Sequence, residues 1–281
     1  MDELPGRVAV ITGGGSGIGE AIALACADAG MHVAVADVEE EKAAAVAAEA
    51  EKRGVRVLSE AVDVRSADAL EALAARVFDE LGGAHLLCNN AGVLVMGMTH
   101  ERPSQDWDWV LEVNVKGVAH GLRAFVPRML AQGEGGHIVN TASSNALFAL
   151  PRHGVYTAAK FAVLGLSESL RLDLAPHGIG VSALCPGGVK TRILHSQRNR
   201  PEALGRSKLH REDVLEIMQA SDEANNTLIE AERVAELVLE GVRHNEPYII
   251  THPGSRDTVV RRSEELLRAF DRARERWPDL P

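Results

Sequence analysis

The chain alternates short, wholly apolar runs with longer stretches in which apolar residues recur every three or four positions. The first run, Val8-Ala9-Val10-Ile11, is uninterrupted and largely β-branched, as in a strand covered on both faces. It breaks into a cluster of glycines, and Ile22, Leu24, Ala25 and Ala29 then open a helical pattern. Similar runs predict strands over 31–36, 55–61, 85–89, 137–141, 178–184 and 248–251. Between them the helical period predicts helices over 39–53, 67–81, 103 to about 130, 154–175 and 230–242, with Ser66 capping the second and Pro103 opening the third. Strand followed by helix, repeated, predicts one α/β domain: a doubly wound parallel sheet of about seven strands with helices on both faces. The stretch 192–226 breaks this rhythm. A charged amphipathic helix over 256–276, with Val259, Val260, Leu266, Leu267 and Phe270 on its apolar positions, forms an extension (253–281) beyond the main domain (1–252).

Bulk properties narrow the function classes. A chain of 281 residues can bury the core of one large domain. A formal net charge of −10 argues against nucleic acid or an anionic membrane as the main partner. Cys26, Cys88 and Cys185 are odd in number and set in apolar runs, as expected of buried thiols in a reducing compartment. The first residues carry no basic segment and no long apolar run. No signal peptide or transmembrane helix is expected, and a cytoplasmic location is. The eleven histidines show no metal-ligand spacing, so no metal is expected.

The glycine cluster is the first chemical signal. Thr12-Gly13-Gly14-Gly15-Ser16-Gly17-Ile18-Gly19 lies between a predicted strand and a predicted helix. Glycines let backbone approach a ligand closely, and the helix behind them aims its free N–H groups and positive dipole end at a pyrophosphate. This is the Rossmann arrangement. It expects an acidic residue about 20 positions beyond the glycines to accept hydrogen bonds from the adenosine ribose, and Asp37 stands at the end of the second strand. A carboxylate there repels a 2′-phosphate. Val38 follows it and no Arg or Lys lies in the turn, so NAD is expected over NADP.

Taken in order, the motifs resemble the short-chain dehydrogenase/reductase family. They are the glycine turn, Asp63-Val64, Asn89-Asn90-Ala91-Gly92, Asn114 in Val-Asn-Val, Ser143, Tyr156-Thr157-Ala158-Ala159-Lys160, and Pro186-Gly187 with Thr191. The resemblance implies that Gly13, Ser16, Gly17, Ile18, Gly19, Asp37, Val38, Asp63, Val64, Asn90, Ala91, Gly92, Pro186, Gly187, Val189 and Thr191 hold the dinucleotide, with Tyr156 and Lys160. It also implies an oxidoreductase acting on a secondary alcohol or ketone. Tyr156 and Lys160 are four apart on a helix and so share a face. A free tyrosine ionises near pH 10; a lysine ammonium and a cationic nicotinamide favour the phenolate, which then takes the proton of a substrate hydroxyl. Ser143 is expected to hold the substrate oxygen, with Ser144 as a possible support and Asn145 as a further substrate contact. The resemblance gives Lys160 a hydrogen bond to the nicotinamide ribose and gives Asn114 a water in a proton relay to Lys160.

The resemblance makes 192–226 a flexible cover over the substrate. The apolar runs Ala146 to Leu150 and Val93 to Met96 predict an apolar pocket and a hydrophobic substrate. The stretch Phe125-Val126-Pro127-Arg128-Met129 and the ending Tyr248-Ile249-Ile250 look like bacterial dehydrogenases that oxidise benzylic alcohols of lignin-type aryl ethers. Val118, Leu122, Val126, Val163, Leu166 and Leu170 put apolar residues on more than one face of two long helices, which predicts a homotetramer or homodimer paired through them. An NADP-dependent ketoreductase and a non-catalytic dinucleotide-binding regulator remain the alternatives on the same fold.

Overall fold

A computed structural model of the chain describes residues 1, 3–207, 213–216, 219–220 and 227–279. Part of the expected cover, 192–226, therefore lies outside the described residues. Seven strands form one parallel sheet: β1 (Val8–Thr12), β2 (His32–Asp37), β3 (Val57–Ala61), β4 (Leu86–Asn89), β5 (Gly136–Thr141), β6 (Ile179–Cys185) and β7 (Tyr248–Ile250), in the order β3-β2-β1-β4-β5-β6-β7. Each lies within a residue or two of the run that predicts it. All of β1 is buried: Val8 and Val10 enter one core, Ala9 and Ile11 the other. Covering on both faces explains why the run is apolar throughout instead of alternating.

The first core lies beneath α3 (Ala67–Leu81), α4 (Ser104–Leu111), α5 (Gly117–Gln132) and α6 (Gly154–Leu174). The second lies beneath α1 (Gly17–Asp28), α2 (Glu40–Glu51) and α7 (Ala231–Arg243). Strand order reverses between β1 and β4, so the connections leave the carboxyl ends of these strands in opposite directions. A crevice opens there. Among the described residues no helix is long and apolar enough to cross a membrane.

Three expectations need correction. The single helix predicted over 103 to about 130 is α4, one π-helical segment (Glu112–Lys116) and α5. Asn114 sits in that segment, turned inward to bond the backbone of Val93; such π-turns gather at functional sites. Secondly, of the residues read from the sequence as spread over more than one face, Val118, Leu122 and Val163 are buried in the first core. Val126, Leu166 and Leu170 pack against it. The outer face of α6 instead carries Ala158, Ala162 and Gly165 and the 78 % exposed Leu172. Thirdly, α8 (Arg256–Arg276), the predicted terminal helix, buries none of its residues; it leans on the body through the Arg262 guanidinium over the Phe161 ring, 5.1 Å from its centroid.

Candidate active site

The crevice runs from the end of β2, across the glycine turn, to the ends of β5 and β6. Its nearest wall is the turn between β1 and α1. Gly17 has φ +60°, open to glycine without strain, and a Cβ there would meet Thr191 at 3.1 Å. A Cβ on Gly13 would come within 2.7 Å of the Ala91 Cα. Ser16 caps α1 in an extended conformation and its hydroxyl makes no cap bond, which leaves first-turn N–H groups for a ligand anion. These features fit a dinucleotide's pyrophosphate. Gly19 differs from the other turn residues: it does not line the crevice, and a Cβ there would lie 2.1 Å from the Gly13 carbonyl oxygen. Its role is the close passage of helix behind turn.

Thr12 and Asn90 lock this wall to the end of β4. The Thr12 hydroxyl accepts from the N–H groups of Asn90 (3.0 Å) and Ala91 (3.2 Å), and Asn90 Nδ2 donates to the carbonyls of Thr12 (3.1 Å) and Gly13 (3.2 Å). Asn90, Ala91 and Gly92 thereby line the crevice opposite Gly13, Ser16, Gly17 and Ile18.

Asp37, Val38, Asp63 and Val64 line the far end. Asp37 Oδ2 accepts from Gly15 N and Oδ1 from Glu39 N, each at 2.9 Å, so the carboxylate is fixed in the position expected for a ribose contact. The Asp63 carboxylate is held by Arg65, which donates from Nη2 at 2.6 Å and from Nε at 3.0 Å. Burial raises the Asp63 pKa, but these bonds outweigh it and keep the group below its ordinary value. Arg65 also lines the crevice. It escapes a reading by sequence because an exposed arginine after a strand is commonplace.

At the other end Ser143, Tyr156 and Lys160 converge. Ser143 follows β5, with its Oγ accepting from Asn145 N at 3.1 Å and donating to the Pro186 carbonyl at 3.4 Å. Tyr156 and Lys160 stand one turn apart on α6 and face the same side. The Lys160 ammonium is 3 % exposed, lies 5.5 Å from the Tyr156 ring centroid, and donates to the Thr141 carbonyl at 2.7 Å. Burial pulls Lys160 down to about 8 and pushes Tyr156 up to about 12, the latter against a smaller downward pull from the Ser143 hydroxyl. The downward shift expected from the sequence is that of Lys160 together with a cationic nicotinamide; in the chain by itself burial sets the direction. Cys185, beside Lys160, is raised to about 12 by burial and is an inert thiol at neutral pH.

Asn114 does not line the crevice. Its Oδ1 accepts from Val93 N (2.8 Å) and its Nδ2 donates to Val93 O (2.9 Å). That pairing fixes the backbone next to Gly92, where a Cβ would lie 3.5 Å from Asn114 Oδ1 and 3.6 Å from Lys160 Nζ. Ser144 and Asn145 are buried and do not line the crevice. The two apolar runs expected to form the pocket mostly pack inward: Ala146, Val95 and Val93 join the first core and only Val93 also faces the crevice. Trp109, Val113, Ile193 and Ser196 line it too, all but Ile193 buried.

Pro186, Gly187, Val189 and Thr191 complete the wall after β6. This loop is braced by a residue the sequence does not flag. His252, buried past β7, accepts from Gly187 N at 3.2 Å through Nδ1, while its Nε2 lies 2.7 Å from the Thr227 carbonyl. A proton on Nε2 satisfies both contacts.

Comparison with known proteins agrees with this geometry. The family model described as short chain dehydrogenase matches residues 7–202. A C alpha-dehydrogenase of Sphingobium sp. (strain NBRC 103272 / SYK-6) is 34 % identical over 268 residues, covering 95 % of this chain and 87 % of that protein. A 1-deoxy-11-beta-hydroxypentalenate dehydrogenase of Streptomyces exfoliatus is 39 % identical over 213 residues, 75 % of this chain and 78 % of the relative. A crystal structure of a short chain dehydrogenase/reductase from Burkholderia phymatum in complex with NAD superposes with a TM-score of 0.88 at 41 % identity, covering 95 % of this chain and 96 % of that one. Fold, motif order and relatives converge, and the chain belongs to the short-chain dehydrogenase family of oxidoreductases that act on CH–OH groups.

Proposed function

We propose that the protein is an NAD-dependent dehydrogenase of hydrophobic secondary alcohols, aryl or cyclic ones included, and reduces the matching ketones in reverse. The observation that carries this reading is one crevice with Ser143, Tyr156 and Lys160 at one end and the Asp37 carboxylate at the other. The bound nicotinamide supplies the carbon that accepts or returns a hydride. Tyr156 takes the hydroxyl proton of the alcohol in one direction and returns it to the ketone oxygen in the other. Ser143 holds that oxygen by a hydrogen bond. Lys160 supplies positive charge over the ring and reaches toward the cofactor ribose, and Asn114 is assigned the anchoring of a water in a proton relay to Lys160. Asp37 favours ribose hydroxyls over a 2′-phosphate. Val93, Trp109 and Ile193 on the substrate side support an apolar substrate. Relatives described as dehydrogenases, one of them of a hydroxypentalenate, support an alcohol, and a neighbour crystallised with NAD supports the cofactor. We place the enzyme in the cytoplasm as a homodimer or homotetramer.

The test is NADH formation followed by absorbance with a panel of hydrophobic secondary alcohols, run with NAD and with NADP. Turnover with NAD above that with NADP is expected. Tight NAD binding without turnover of any alcohol would return the regulator reading.

A further inference from the structure

The three positions after β2 do different work. Asp37 is fixed by two backbone N–H groups and Val38 is 51 % exposed. Glu39, at the start of α2, binds cations instead. Its Oε2 accepts from Arg198 Nη2 at 2.7 Å, from Arg198 Nε at 3.0 Å and from Asn199 Nδ2 at 3.3 Å, while its Oε1 pairs with the Lys42 ammonium. Burial alone would raise the Glu39 pKa; the bonds from Arg198, Lys42 and Asn199 outweigh it and hold the carboxyl at about 2. The group is ionised at any physiological pH.

Arg198 and Asn199 line the same crevice as Asp37 and Val38. Arg198 comes from the segment Ile193–Asn199, which folds over from beyond β6, and its Nη1 is tied back to the carbonyls of Arg192 and His195, each at 3.2 Å. The end of the crevice next to Asp37 thus holds a guanidinium suited by shape and charge to a phosphate. Glu39 already occupies two of its N–H groups. With Glu39 in place the local charges of Asp37, Glu39, Lys42 and Arg198 cancel. Without it, one carboxylate faces two cations and the balance turns positive.

We infer that Glu39 is a second specificity-determining residue: it engages Arg198, so that the guanidinium is not available to the 2′-phosphate of NADP. This rests on the reading that the crevice takes NAD in preference to NADP. Asp37 repels the phosphate, and Glu39 withholds the cation that would attract it. Removing Asp37 alone therefore relaxes the preference only in part.

The experiment is calorimetric titration of the full chain with NAD and with NADP, without substrate, for wild type, Glu39→Ala, Glu39→Gln, and Glu39→Ala combined with Arg198→Met. Charge-assisted hydrogen bonds are strong enough that the ratio Kd(NADP)/Kd(NAD) is expected to fall about tenfold in Glu39→Ala. It should return toward the wild-type ratio when Arg198 is also replaced. The Gln variant keeps an acceptor but loses the charge and should fall between; it also serves if the Ala variant folds poorly. A wild type that binds both dinucleotides equally overturns the underlying cofactor reading. A wild type that prefers NAD, with an unchanged ratio in both Glu39 variants or a gain that survives loss of Arg198, overturns the role of Glu39 alone.

Discussion

Lys160 donates its ammonium proton to the carbonyl of Thr141 at 2.7 Å, tying the middle of α6 to the end of β5, two residues before Ser143. The residue that lends charge to Tyr156 is therefore also held by the strand that presents Ser143. Such a buried cation costs stability, and the cost has a pH signature. Lys160 is pulled from 10.5 down to about 8 by burial. Between those values the unfolded chain keeps a proton that the folded chain has released, so this residue makes stability rise with pH across that window. Tyr156, raised from 10.0 to about 12, works in the opposite sense at higher pH, where the unfolded chain loses its proton first. Lys160→Met removes the first effect. In urea unfolding at about pH 7 and again at about pH 10, the stability of the variant relative to wild type should decline toward the higher pH. A difference that stays flat would mean that Lys160 is not held away from its ordinary value.

Tyr156→Phe should abolish turnover and leave NAD affinity nearly intact. Phe keeps the ring under Lys160 but lacks the hydroxyl, and positioned acid–base catalysis is worth about 10²–10⁴-fold. Ser143→Ala should slow turnover and spare the cofactor, whereas Lys160→Ala should damage both. NADH formation with an active alcohol, set beside calorimetric titration with NAD, separates the three patterns. Near-normal turnover by Tyr156→Phe would overturn the proposed mechanism.

The architecture was legible because the central strands are covered on both faces: β1 and β4 are buried at every residue, and the helices between strands carry the helical period. The residues proposed as catalytic stand out in the sequence because they sit in tight local motifs, Tyr156 and Lys160 one turn apart and Ser143 at a strand end. What stayed hidden depends on contacts between distant segments. The π-turn at Asn114 goes with its two bonds to Val93, 21 positions away. The pairing of Glu39 with Arg198 spans 159 positions. His252 stands between Thr251 and Pro253 with no pattern to mark it, and only the fold brings it to Gly187. Asn145 and Gly19 show the converse: adjacency to a motif in sequence did not put them on the crevice wall.

Asp106 should prove a costly residue to remove. It is wholly buried on α4, with Oδ1 2.6 Å from Arg200 Nη1 and Oδ2 accepting from the Ser207 hydroxyl at 2.8 Å. The Arg200 guanidinium lies 5.1 Å from the centroid of Trp109, which lines the crevice. Asp106 thus ties Arg200 and Ser207, from the segment expected as a cover, to α4. Breaking a buried pair by deleting one partner typically costs about 3–5 kcal/mol, because the other charge stays buried. Asp106→Leu should lose stability on that scale, and the same change combined with Arg200→Met should lose less than the two single changes added together. Equilibrium denaturation of the four proteins gives the comparison; strict additivity would mean that the pair is not coupled.

Assembly is the remaining expectation, and the structure changes where it should be sought. Of the residues expected on more than one face, Val118, Leu122 and Val163 lie in the core, while Val126, Leu166 and Leu170 are partly buried against it. The outer face of α6 is lined by small residues, Ala158, Ala162 and Gly165, and ends on the exposed Leu172. Small side chains let two helix backbones approach closely, and a two-fold axis along such a face makes the contact self-complementary. Light scattering should therefore give a whole multiple, two or more, of the 30.1 kDa chain mass. Gly165→Arg should shift the protein toward single chains. A Cβ at Gly165 meets nothing within 4 Å in the single chain. Replacing a mid-helix glycine also favours the helix, by up to about 1 kcal/mol. The fold of one chain thus has no reason to suffer, and circular dichroism should match wild type while the mass falls. A wild-type protein that runs as a single chain removes the claim of assembly. An unchanged mass in Gly165→Arg moves the interface off this face of α6.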